Sequence, residues 1–237
     1  MQHLFRSKIA FFLLVNLITI GVISAQRDDN YNFKGFKKKY YFGIALGGNS
    51  ADFKVSRSKR FVQTDTFASV ESVRGPGFNI GVISNLNIGK YFDARFVPTL
   101  SFQTRNINYR PNPTSVVFEQ RKVESVFVEF PFQFRYKSEP YKDMRMFVIA
   151  GIKYGFDVAG ESKRRAFESL LKVAPTDFSV EVGAGMQFFL PFFIFSPEFK
   201  FSHGLNNILL YNQNVPQSTV LDKVVSRTFS ITLNFEG

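Results

Sequence analysis

The chain has 237 residues, 31 of them Phe and none of them Cys or Trp, and a formal charge of +11. Aromatic residues at 17 % and charged residues at 21 % exclude a disordered polymer. The lack of cysteine excludes disulfide frameworks, thiolate metal sites, cysteine nucleophiles and a lipid anchor on cysteine.

Residues 1–25 read as a secretory signal peptide. Arg6 and Lys8 supply the positive start, Ile9 to Ile23 a mainly apolar run, and Ile23-Ser24-Ala25 a cleavage site before Gln26. A single N-terminal anchor fits less well, because small residues sit where a peptidase needs them. Removing Arg6 and Lys8 lowers the formal charge from +11 to +9. Beyond this segment no run of 18 apolar residues occurs, which argues against a helical membrane bundle. Residues 26–39 follow as a basic periplasmic leader. Its densest charge is Lys34, Lys37, Lys38 and Lys39, a candidate contact for a partner or for lipid, against the simpler reading of a solvated lead-in. For an exported protein, acidic head groups and lipopolysaccharide phosphates are the expected counter-charges, and no nucleic acid.

From residue 40 onward apolar and polar residues alternate with period two. Eight strands are predicted, over residues 40–49, 77–86, 92–106, 123–138, 145–158, 178–190, 194–203 and 227–235. Four connections are long (50–76, 107–122, 159–177 and 204–226) and three are short (87–91, 139–144 and 191–193). Long and short links alternate along the chain. That pattern predicts an all-β fold over residues 40–237: an eight-stranded antiparallel up-and-down transmembrane β-barrel with a polar, side-chain-filled interior. Both termini then lie on the short-turn, periplasmic side, and four long loops are extracellular.

Alternation alone fits a soluble barrel with an apolar lumen equally well. Two features decide for the inverse arrangement. Glycine falls on the polar parity, at Gly43, Gly47, Gly77, Gly81, Gly151, Gly155, Gly183 and Gly185, where it makes room for long neighbours in a narrow lumen. The long neighbours share that parity: Arg95, Arg105, Glu129, Arg135, Lys153, Asp157, Glu181, Glu198 and Lys200. Both signs are present, so a candidate interior charge network is expected, since a lone buried charge is costly. The opposite parity, with Phe96, Leu100, Phe102, Phe130, Phe132, Phe134, Phe199, Phe201, Phe229, Ile231, Leu233 and Phe235, is the expected lipid face. Tyr40, Tyr91, Tyr109, Tyr136, Tyr141 and Tyr154 cluster towards strand ends, as head-group anchors do. Pro131 is awkward inside a closed barrel, as are Pro98 and Pro197. A bulge or a missing hydrogen bond is expected at each.

Catalytic chemistry finds little support. The adjacent Ser202 and His203 point to opposite faces of a strand, so they cannot form a nucleophile–base pair. Glu129 and Glu198 are paired carboxylates in principle, but neighbouring Arg and Lys make a structural role the better reading. No phosphate loop, HExxH or EF-hand pattern is present. No catalytic residue, metal site, cofactor or small-molecule substrate is expected.

The phrases VESVFVEFPFQFRYKS (123–138), GKYFDARFVPTLSF (89–102), FVIAGIKYGFDVA (147–159) and the terminal RTFSITLNFE resemble the PorT/SprT family of Bacteroidota. The terminal phrase is similar to a last-strand insertion signal, with Glu236 and Gly237 after the final aromatic. The resemblance covers nearly all the mature chain. It implies a non-enzymatic outer-membrane component of the type IX secretion system, and of gliding motility where present, acting with other secretion proteins. The alternative is a stand-alone adhesin or envelope-stability barrel acting through its surface loops.

Overall fold

The computed structural model describes residues 38–57, 69–110, 119–159, 172–210 and 221–237. The signal peptide and most of the leader, Lys34 and Lys37 included, lie outside the described residues, as does the side chain of Tyr109.

Among the described residues eleven strands follow in chain order: β1 Tyr40–Arg57, β2 Ser69–Asn87, β3 Phe92–Phe96, β4 Thr99–Arg110, β5 Glu119–Lys137, β6 Met144–Asp157, β7 Lys172–Val173, β8 Thr176–Phe189, β9 Ile194–Gly204, β10 Leu209–Leu210 and β11 Leu221–Glu236. Nine of them form one antiparallel sheet in the order β1-β11-β9-β8-β6-β5-β3-β2-β4, and the β1–β2 and β4–β5 pairings close it into a ring. β3 and β4 are two lengths of one stave, so the ring has eight. β7 and β10 form a separate ribbon at the long-loop end, tied to β11 by the Ile208 N–H donating to the Val224 carbonyl at 3.0 Å. The seam closes where the Gly237 N–H donates to the Phe42 carbonyl at 2.9 Å, beside the start of β1.

The strands are longer than the alternation predicts. Residues 50–57 continue β1 against 221–229, with one register shift between Ser56 and Arg57, and 69–76 already belong to β2. β4 runs on to Arg110 and β5 begins at Glu119. Much of what reads as loop is therefore ladder. The physical reason lies in the outer wall of β1. Its outward residues are apolar from Tyr40 to Leu46 but become Ser50, Asp52 and Lys54 further along. Hydrogen bonding continues past the lipid, and the need for apolar residues does not, so period two fades while the strand goes on.

Large apolar side chains are exposed in a belt around the outside, among them Phe78, Phe134, Val148, Val182, Phe199 and Ile231. On β5 the belt runs from Val126 to Tyr136, the length of a membrane-spanning strand. Tyr40, Tyr91, Tyr136 and Tyr141 stand at its short-turn edge, where the tip of the β8–β9 turn also projects Phe192, 91 % exposed. The inside is the reverse, lined by buried Asn, Gln, Ser, Thr and ionised groups around a small plug of Ala45, Ile83 and Val97.

Pro98, Pro131 and Pro197 cost hydrogen bonds but no register, whereas the β2–β4 ladder slips by one residue at Gly75 and Pro76. β3 ends its pairing at Phe96↔Phe132 and β4 resumes at Thr99↔Glu129, with two residues between on each side and hence no bulge. The Val97 N–H donates to the Pro131 carbonyl at 3.2 Å. The return bond cannot form, because Pro131 has no N–H. The Thr99 hydroxyl fills the gap, donating to the Val97 carbonyl at 2.7 Å. At Pro197 the β8–β9 ladder likewise lapses between Gly185↔Glu198 and Phe188↔Phe195 without a shift.

Candidate functional site: a charged lumen, an outer collar and a short-turn vestibule

All nine sequence-predicted interior residues are buried. Arg95 projects from β3 and grips two carboxylates at once, Glu198 of β9 and Glu236 of β11. Arg135 of β5, 0 % exposed, meets Asp93 at 3.2 Å and Glu236 at 3.6 Å. It also donates to the Tyr41 hydroxyl at 2.6 Å and the Asn85 side-chain oxygen at 2.9 Å. Lys137 completes this layer by binding Asp93 and donating to Asn87 at 2.9 Å. Further up the lumen, Lys200 bridges Glu198 at 3.7 Å and Glu181 at 3.6 Å, and Lys153 meets Glu129 at 3.1 Å.

Five cations (Arg95, Arg135, Lys137, Lys153 and Lys200) thus meet five carboxylates (Asp93, Glu129, Glu181, Glu198 and Glu236). Mutual pairing offsets the desolvation that would otherwise expel such groups. The other two predicted residues contact different partners. Arg105 donates to Gln103 and lies over the rings of Phe53 and Phe127 at 5.0 and 5.1 Å. Asp157 accepts from the backbone N–H of Val126 at 3.3 Å and of Ala159 at 3.0 Å.

Asp93, Lys137 and Glu236 are the members the sequence reading missed. Their parity announces them: Asp93 precedes Arg95 by two, Lys137 follows Arg135 by two, and Glu236 extends Ser230, Thr232 and Asn234. Glu236 reads as an appendage to the last strand, yet it is buried between two arginines.

Glycine at Gly185 serves this layer. A Cβ there would lie 2.6 Å from the Phe147 ring and 2.5 Å from the Pro197 carbonyl. The Phe147 ring in turn carries the Arg135 guanidinium at 4.7 Å. Small size at Gly185 therefore positions an aromatic, which positions a cation.

The outer wall changes character at the long-loop edge of the belt. Asp52 sits between Arg227 at 3.1 Å and Arg74 at 3.4 Å, while its neighbours Ala51 and Phe53 are buried inside. Arg74 is 66 % exposed through its side chain. His203 is the register partner of Arg227, and its ring stacks on Phe201 with centroids 6.4 Å apart. Ser202 points inward to Ser179 at 3.1 Å, so the two side chains diverge. Exposed Lys54 and Lys223 extend this basic collar.

At the opposite end the short turns surround a vestibule of about 510 Å³. Lys38 and Lys39 enter it from the approach to β1, pinned by the Asn87 N–H donating to the Lys39 carbonyl at 2.8 Å and the Asn87 amide donating to the Lys38 carbonyl. On the turn rim Lys90 pairs with Glu139 at 2.6 Å, and Tyr91 donates to the same carboxylate at 2.5 Å. The hydrogen bond from Lys90 holds the Glu139 carboxyl below its ordinary range.

An exposed apolar belt, a closed antiparallel ring and a salt-bridged polar lumen define a small outer-membrane β-barrel. The chain belongs to the outer membrane protein beta-barrel domain family, which matches residues 24–210. The structure is similar to OprG of Pseudomonas aeruginosa, with 10 % identity over 84 % of this chain and 94 % of that one, at a TM-score of 0.43. It is also similar to Neisserial surface protein A, with 10 % identity over 84 % and 97 % at a TM-score of 0.42. The attachment invasion locus protein Ail of Yersinia pestis shows 13 % identity over 84 % and 100 % at a TM-score of 0.36. No curated protein sequence matches the chain.

Proposed function

We propose that this barrel is an accessory component of the type IX secretion system, serving gliding as well where the organism glides. The observation that supports this reading is the filled lumen. Paired side chains occupy the ring from Arg135 to Arg105, leaving no passage for a polypeptide. A barrel that cannot itself pass cargo acts on export by holding other proteins at the membrane, and the strand-length resemblance to the PorT/SprT family gives that role its address. On the same reading the short-turn end and both termini face the periplasm, and the long-loop end faces outward.

Deleting the gene then traps secreted cargo in the periplasm, and re-expression releases it. Normal secretion by the deletion strain would remove the proposal. Shortening residues 58–68 and 211–220, which lie beyond the described ladder, leaves export intact on this reading. An adhesin or envelope barrel would instead lose surface binding in that variant.

The collar of Arg74, Arg227, Lys54 and Lys223 sits where lipopolysaccharide phosphates would lie against the outer wall. Replacing Arg227 by Gln is expected to weaken lipopolysaccharide binding about fivefold, the effect of one cation at an anionic surface. Thermal stabilisation of the detergent-solubilised barrel by added lipopolysaccharide reads this out. Equal stabilisation of variant and parent would remove the collar from lipid recognition.

A further inference from the structure

The vestibule at the short-turn end opens onto the lumen network, with which it shares Lys137 and Tyr41, and lies away from the collar. Twelve residues line it, and none is acidic. Five are cationic: Lys38, Lys39, Lys90, Lys137 and Arg145. Asp93 and Glu139 hold Lys137 and Lys90 from outside the lining, so the surface presented to an entering molecule is positive. These cations come from three separate places, namely the approach to β1, the β2–β3 turn and the two sides of the β5–β6 turn. The wall also carries Gln187, only 2 % exposed, whose side-chain oxygen accepts no hydrogen bond.

We propose that this vestibule binds an acidic peptide segment of a periplasmic partner. Three observations select that class. The volume falls within the range of pockets that enclose small ligands or a few residues of chain. Cations spread over three elements suit several carboxylates along an extended chain better than one compact anion. The unpartnered Gln187 oxygen calls for a donor, and a peptide N–H supplies one where an ionised carboxylate alone does not. A lipid head group is ill placed, because the turns separate the vestibule from the outer wall. The inference builds on the accessory-component reading by giving the barrel a partner chemistry.

The test uses the full-length barrel in detergent micelles and a fluorescently labelled hexaglutamate peptide, followed by anisotropy. The parent is expected to bind it, more weakly as salt rises towards physiological strength. The double variant Lys38→Gln, Lys90→Gln lies at the rim and leaves the lumen intact. It is expected to lose affinity at least about fivefold. Arg145→Gln is expected to do the same, and the collar variant Arg227→Gln to bind as the parent does. Equal affinity in the vestibule variants would overturn the proposal, as would displacement of the peptide by an equal concentration of inorganic phosphate. Failure here would leave the secretion phenotype of the deletion strain unaffected, so the two readings fall separately.

Discussion

Replacing Arg135 by Met lowers the unfolding free energy of the barrel by about 3–5 kcal/mol, the scale for removing one partner of a buried ionic group. Four oxygen-bearing groups converge on this guanidinium: Asp93, Glu236, Tyr41 and Asn85. Methionine fills the volume and supplies none of the donors. Two carboxylates would then share only Lys137 and Arg95, in a space from which water is largely displaced. Urea unfolding in phospholipid vesicles measures the change. Arg74→Gln, on the exposed collar, is the matched control and should shift the midpoint by no more than about 0.5 kcal/mol. An unchanged midpoint for Arg135→Met would take the guanidinium out of the lumen.

Phe132→Arg is the complementary change on the other face of the same strand. Phe132 is 55 % exposed in the isolated chain and lies near the middle of the Val126–Tyr136 apolar run. It pairs with Ile152 on one side and Phe96 on the other, and the Phe96 ring stacks on it at 4.5 Å. Arginine at the bilayer midplane of such a wall costs about 2–4 kcal/mol. The same urea titration should show that loss in vesicles, together with a smaller loss in detergent, where the hydrophobic layer deforms more readily. Equal stability of variant and parent in vesicles would place Phe132 outside the hydrocarbon.

These two residues, three apart on one strand, show why so much of the architecture is legible in the sequence. A strand in this environment has lipid on one side and a crowded polar lumen on the other, so every step of two repeats a chemical demand. Phe130, Phe132 and Phe134 answer one demand, and Glu129, Gln133 and Arg135 the other. Where the demand lapses, so does the signal. Beyond Leu46 the outer wall of β1 leaves the lipid, and the eight further ladder residues 50–57 read as loop. The break at Val97 and Pro98 was legible as a difficulty at proline. Its resolution was not, because the hydroxyl of Thr99 acts through three-dimensional proximity. Asp93 and Glu236 carry the correct parity but stand at strand ends, where alternation is too short to be counted. The vestibule lies further still from any pattern, since Lys38, Lys90 and Arg145 are brought together only by ring closure.

Glu236 has a consequence for assembly. It stands at the end of β11, and it binds Arg95 of β3 and Arg135 of β5 from the far side of the ring. An open sheet lacking β11 leaves both arginines short of a carboxylate and the lumen with surplus positive charge. Docking of the final strand against Gly43 of β1 therefore does two things at once: it zips the backbone seam and neutralises the interior. A chain cut back to Phe235 forms much of the ladder, but its lumen remains electrostatically unfinished. The end of β11 thus works as a latch, and closure is sensed at the centre of the barrel rather than only along its edge.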